Sequence, residues 1–109
     1  MISYQEFRRL WIDAQEIEDL DQYVAEVGGS VPLDDVEQAL TLLRLVHRMA
    51  RGTASELRSI AQLTQAAMPR EYGVPSSTVN KWDMGSSNPP EWVRELLAYA
   101  IASDLLGRG

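Results

Sequence analysis

The stretch from Leu63 to Pro90, LTQAAMPREYGVPSSTVNKWDMGSSNPP, constrains the fold more than any other, because its glycines and prolines leave room only for short helices. Gly73 can take the left-handed conformation that ends one helix and turns the chain, with no Cβ penalty. Pro75 lacks an N–H and has a preset φ, so it stops the preceding helix and suits the start of a new one. Trp82-Asp83-x-Gly85, followed by Asn88-Pro89-Pro90, closes the second segment. The spacing predicts two short helices joined by a tight turn, a helix-turn-helix. Val79 and Trp82 give the second helix a side that faces the first, and Ser76, Ser77, Asn80 and Lys81 fall on or near its outer side.

With 109 residues the chain makes one domain, or one small domain with an appended subdomain, and 45 % hydrophobic residues is ample for a core. It has no cysteine and one histidine, which excludes disulfides and thiolate chemistry, and one histidine cannot by itself build a metal site. No cofactor is implied. No apolar run reaches membrane-spanning length, and MISYQEFRRL lacks the layout of a signal peptide, so the expected setting is cytoplasmic, with no membrane partner. The net charge of −6 argues against a surface that attracts nucleic acid on every side. Residues 1–53 carry ten acidic and five basic side chains, residues 54–109 six and five, so the acid sits away from the two short helices. The chain therefore divides into an acidic N-terminal helical region, 1–53, and a helix-turn-helix domain, 54–109.

Ser3 and Glu6 form a capping box ahead of a periodic segment in which Tyr4, Phe7, Trp11, Ala14, Ile17, Leu20, Val24 and Val27 make one apolar stripe. A helix is expected from about Tyr4 to about Val27, with a break near Asp19 or Asp21 as the alternative where Glu16, Glu18, Asp19 and Asp21 crowd together. Those carboxylates read as a solvated face, since no basic or metal-binding partner accompanies them. After a Gly28-Gly29-Ser30 loop, a second helix is expected from Asp34, with Glu37 completing a capping box and Val36, Ala39, Leu40, Leu43, Val46 and Ala50 as its core face. Leu42 and Leu45 widen that face. His47, at its edge, is expected to be a hydrogen-bonded structural histidine rather than a ligand or general base. Thr53 and Glu56 form a third capping box for a short helix to about Gln62, and Thr64 is the expected cap of the first motif helix. Pro69, inside that helix, forfeits a hydrogen bond, which predicts a kink or a late start. Pro89-Pro90 introduce a last helix from about Glu91 to Leu106, with Trp92, Val93, Leu96, Leu97, Ala100, Ile101 and Leu105 as its apolar side and Gly107 as its end. Trp82 and Trp92 are expected in the core. The predicted fold is all-α, with about six helices: the helix-turn-helix domain and an N-terminal pair of amphipathic helices.

The run LTQA, YGVP, TV, WDMG and PPEWV, LLAYA over residues 54–106 resembles the phage-repressor-like (XRE-type) helix-turn-helix family. That resemblance implies sequence-specific binding of double-stranded DNA through the major groove by a transcriptional regulator, commonly an autorepressor of phage, prophage or mobile-element type, acting as a homodimer. Carried over by position, it implies that Gln65 touches the phosphate backbone and a base edge, that Ser76, Ser77 and Lys81 face the bases with Asn80 beside them, and that Thr78 supports the backbone contact or packs inward. Arg70 and Lys81 are the cations inside the motif; Ser86 and Ser87 stand where related sequences often carry lysine or arginine. The competing reading is a protein-interaction factor, such as an antitoxin, an anti-defence inhibitor or a DNA-mimicking partner, built on the same scaffold and using the acidic N-terminal half. No activated nucleophile, metal cluster or phosphate loop points to an enzyme.

Overall fold

The computed structural model describes residues 1–107, which are all-α. The helices are α1 (Tyr4–Glu16), α2 (Leu20–Val27), α3 (Val36–Ala50), α4 (Ala54–Ala61), α5 (Ala67–Tyr72), α6 (Ser76–Met84) and α7 (Glu91–Gly107), with a 3-10 turn over Gly28–Ser30. The cap at Ser3 forms as the sequence predicts: its Oγ accepts from the Glu6 N–H at 3.2 Å, and the Glu6 carboxylate accepts from the Ser3 N–H at 3.0 Å.

The long first helix is broken. Ile17 leaves the helix with extended backbone, and Asp19 becomes the cap of α2, accepting from the N–H groups of Asp21 and Gln22. Splitting the helix there takes the crowded carboxylates of Glu16, Glu18, Asp19 and Asp21 off one continuous helical surface. It also frees carbonyls at the end of α1, and α3 supplies their partners. His47 Nε2 bonds the Ile17 carbonyl at 2.9 Å, and the Arg51 guanidinium donates to the carbonyls of Ala14 and Gln15 at 3.3 and 3.2 Å. His47 is thus a buried structural residue, its ring against that of Tyr23. Asp35, rather than Asp34, caps α3, accepting from Glu37 and Gln38 N–H at 2.9 and 3.2 Å. This shift by one residue makes Val36 the first helical position and leaves it exposed, while Leu42, Leu43, Val46, Met49 and Ala50 point inward.

One apolar core runs through the molecule. Phe7, Leu10 and Trp11 of α1, Tyr23 of α2 and Leu42, Leu43 and Met49 of α3 join Leu57 of α4, Met68 of α5, Val79 of α6 and Ala98 and Ile101 of α7. The last helix packs on α1, α3 and α4, and so joins the acidic region to α4, against which α6 packs.

That bridge is polar at its centre. Arg94 of α7 donates to the carbonyls of Met49, Ala50 and Gly52 at 2.8, 2.9 and 2.7 Å, closing the C-terminal end of α3. Its guanidinium lies 4.8 Å from the centre of the Trp11 ring and pairs with Glu91, whose carboxylate accepts from Trp11 Nε1 at 3.0 Å and from Gln15. One turn on, the buried Glu95 accepts from Tyr4 and Arg8 of α1.

The position of Trp92 follows from this and differs from the expected one. A residue two places before Arg94 sits about 200° round the helix from it, so turning Arg94 inward turns Trp92 outward. Trp92 is 65 % exposed and Leu96 44 %, and neither belongs to the core; Leu105 is also exposed. The helix continues to Gly107, the last residue described.

Replacing Arg94 by Met keeps much of its length but removes the donor to the carbonyls of Ala50 and Gly52 and the charged partner of the Met49 carbonyl and the Glu91 carboxylate, which keep only the Gly52 N–H and the side chains of Trp11 and Gln15. Unfolding in urea is expected to show a loss of about 3 kcal/mol.

Candidate functional site

The two motif helices are held in place by turns that the local sequence dictates. α4 ends at Gln62, whose φ of 59° is the one left-handed conformation of a non-glycine residue among those described. The Leu63 N–H reaches back to the Arg58 carbonyl at 3.3 Å and the Gln62 N–H to that of Ser59 at 3.0 Å, a closure usually built on glycine. Thr64, the expected cap of the next helix, stands too early: its Oγ1 accepts from the Ala67 N–H at 3.1 Å and its carbonyl from Ala67 and Met68, closing a turn, while the cap position of α5 falls on Ala66, which makes no side-chain cap bond. Gln65 and Ala66 lie in that turn, and α5 starts only at Ala67. The late start accommodates Pro69, which falls in the first turn of α5, where an N–H has no partner within the helix.

Gly73, with φ 70°, ends α5, and Val74 and Pro75 lead into α6. The Pro75 carbonyl accepts from Thr78 and Val79, both at 3.0 Å, and Gly85 with φ 73° closes the helix. Along α6, Val79 is buried, Thr78, Trp82 and Asp83 are half-buried, and Ser76, Ser77, Asn80 and Lys81 are exposed. The structure thus gathers four of the seven candidate residues on the outer side of one helix and turns Thr78 partly inward. Arg70 stands apart on α5, with its guanidinium 3.6 Å from the Glu71 carboxylate in a loose exposed pair of little energetic weight.

Gln65 is exposed but tethered. Its amide donates to the carboxylate of Asp83, which also receives Arg58 Nη2 at 2.8 Å, while Arg58 Nη1 holds the Leu63 carbonyl at 3.0 Å. One carboxylate therefore joins α4, the approach to α5 and the end of α6. Burial alone would push the Asp83 carboxyl up, but hydrogen bonds from Ser55, Gln65 and Arg58, with the Arg58 charge, outweigh it and hold it below the usual carboxylate range. Arg58 and Asp83 were not singled out from the sequence. The clue to them is that Asp83 is the only carboxylate between Glu71 and Glu91 and ends the motif opposite a helix that carries one arginine.

The consequence is electrostatic. With Asp83 turned in and paired, the outer side of α6 presents hydroxyls, an amide, one ammonium and the exposed thioether of Met84, and no carboxylate. Among the described residues there is no cluster of His, Cys, Asp or Glu arranged to hold a metal ion, and no helix long and apolar enough to cross a membrane. The chain matches no protein-family model, no curated protein and no solved structure.

Two stability measurements test these turns. Gln62→Gly relieves the left-handed cost and is expected to raise the unfolding free energy by about 0.5–1 kcal/mol, after the greater freedom of glycine in the unfolded chain is subtracted. The depressed Asp83 carboxyl binds its proton more readily in the unfolded chain, so its stabilisation is present above about pH 4 and is lost as pH falls through its lower folded value. Asp83→Asn should therefore be less stable than the parent near neutrality by about 1–2 kcal/mol and show a shallower loss below about pH 4, read from urea midpoints.

Proposed function

We propose that the chain is a DNA-binding transcriptional regulator that acts by binding alone, laying α6 in the major groove of double-stranded DNA and discriminating between sequences there. The observation that carries this reading is the composition of the exposed side of α6. Ser76, Ser77, Asn80 and Lys81 are all exposed on one short helix, in a chain with sixteen carboxylates of which the single one on this helix is paired inward. Asn80 offers a paired donor and acceptor to a base edge, the serine hydroxyls either role, and Lys81 a charge to a phosphate or a guanine. Arg70, exposed on α5, adds a second phosphate contact, and Gln65, held by Asp83, reaches the backbone beside α6.

Among the described residues two cations, Arg70 and Lys81, serve this surface, so the salt dependence should be shallow. The logarithm of affinity should fall with the logarithm of salt with a slope of about −2 per chain, which is about tenfold in affinity between 50 and 200 mM. Lys81→Ala should weaken binding to every sequence and bring the slope to about −1 per chain. Titration of labelled duplex at several salt concentrations reads both quantities. Affinity and slope unchanged in Lys81→Ala would remove α6 from the contact.

A further inference from the structure

The capacity to tell one base from another narrows, on the outer side of α6, to a single side chain. Ser76 and Ser77 carry hydroxyls that donate or accept as the partner requires, so they discriminate poorly. Lys81 is a point charge on a flexible stem, satisfied by a phosphate or a guanine, and the Met84 thioether offers no donor. Asn80, one turn after the serines on the same exposed side, presents a donor and an acceptor together in one plane. The other amide at this surface is committed, because Gln65 Nε2 donates to Asp83. The Asn80 amide has no hydrogen-bond partner among the described residues. An asparagine inside a helix is less favourable than alanine, and here the fold takes no bond from it in return. The helix that carries it is fixed, since the Asp83 carboxylate at its end is held by Arg58 of α4.

We infer that Asn80 is the specificity-determining residue of α6 and that the base it reads is adenine. The inference rests on the DNA reading above and adds the base to it. In the major groove adenine alone sets an acceptor, N7, beside a donor, the N6 amino group. Guanine offers two acceptors there, cytosine a donor alone, and thymine an acceptor beside a methyl group. The Asn80 amide nitrogen donates to N7 while its carbonyl accepts from N6, and both bonds form in one orientation of the amide. Every other base leaves one half of the amide without its partner, in a site from which water is excluded. Lys81, the serines and Arg70 then supply affinity and register, and Asn80 supplies the choice of base.

Selection from a random duplex library, run in parallel with the full-length parent, Asn80→Ala and Asn80→Asp, tests this. The parent motif is expected to hold a fixed A·T pair at which Asn80→Ala selects no base, with the rest of the motif kept. Asn80→Asp, whose carboxylate accepts but cannot donate, should select cytosine at the same pair. On a duplex carrying the parent motif, exchanging that pair for G·C should weaken the parent about five- to a hundredfold and Asn80→Ala less than about twofold. Asn80 is exposed, so circular dichroism and the thermal midpoint should not fall below the parent values, and either variant alone decides the assignment. Base preference is a readout that a merely structural asparagine would not move. A parent motif without a fixed A·T pair, or one that persists unchanged in the variants, would overturn the assignment and leave the DNA reading standing. No motif from the parent would overturn both.

Discussion

The rest of the structure depends on the inward turn of Arg94. A guanidinium with five donors is the one side chain able to close the carbonyl end of α3, stack on Trp11 and pair with Glu91 at once. Through it the last helix, which belongs by sequence to the motif half of the chain, is bound to the acidic half. Glu95, receiving Tyr4 and Arg8 of α1, repeats the same device one turn later. The cost of drawing these ions inward is met by the partners around them, since nearly every lone pair and donor is used. The direction of Trp92 and Leu96 is then a consequence of helical geometry. Leu97, Ala98, Ile101 and Ala102 of α7 stay in the core beside these charges, and Trp92 and Leu96 face out.

A second polar knot governs the motif. Asp83 gathers Arg58 from α4 and Gln65 from the approach to α5, so the end of α6 cannot swing without breaking charge-assisted bonds. The same knot removes negative charge from the one helix whose outer side is otherwise neutral or basic. Position and electrostatics of α6 are thus set by a single carboxylate. In a chain of net charge −6 this local exception is what makes approach to a polyanion physically reasonable on that side.

Local chemistry was legible in the sequence, and long-range capture was not. Ser3 with Glu6, Gly73, Pro75 and Gly85 act within four residues of themselves, and each does in the fold what its type predicts; Thr53 caps the Glu56 N–H, but the Glu56 carboxylate accepts from the Thr53 hydroxyl and not from its N–H, so that box is half formed. Pro69 also acts as its type predicts, because its effect reaches only one turn back. The break between α1 and α2 is legible only as an alternative, because Glu16, Glu18, Asp19 and Asp21 crowd there while Ala14, Ile17, Leu20, Val24 and Val27 keep a helical period across it; what stabilises the break is His47 and Arg51, some thirty residues away. Trp92 reads as core by composition, but its direction is decided by carbonyls of α3 that Arg94 reaches across more than forty positions. The exposed polar positions of α6 followed from Val79 and Trp82 three residues apart. The tether of Gln65 to Asp83 did not, because it joins side chains eighteen positions apart.

Whether α6 reads DNA is tested most directly by exposing the chain to a random duplex library and sequencing what it retains at low and at moderate salt. The account predicts enrichment of one motif that survives the higher salt. Retention without sequence preference, or none at either salt, would contradict it and leave α5 and α6 as a packing unit that supports the faces around it.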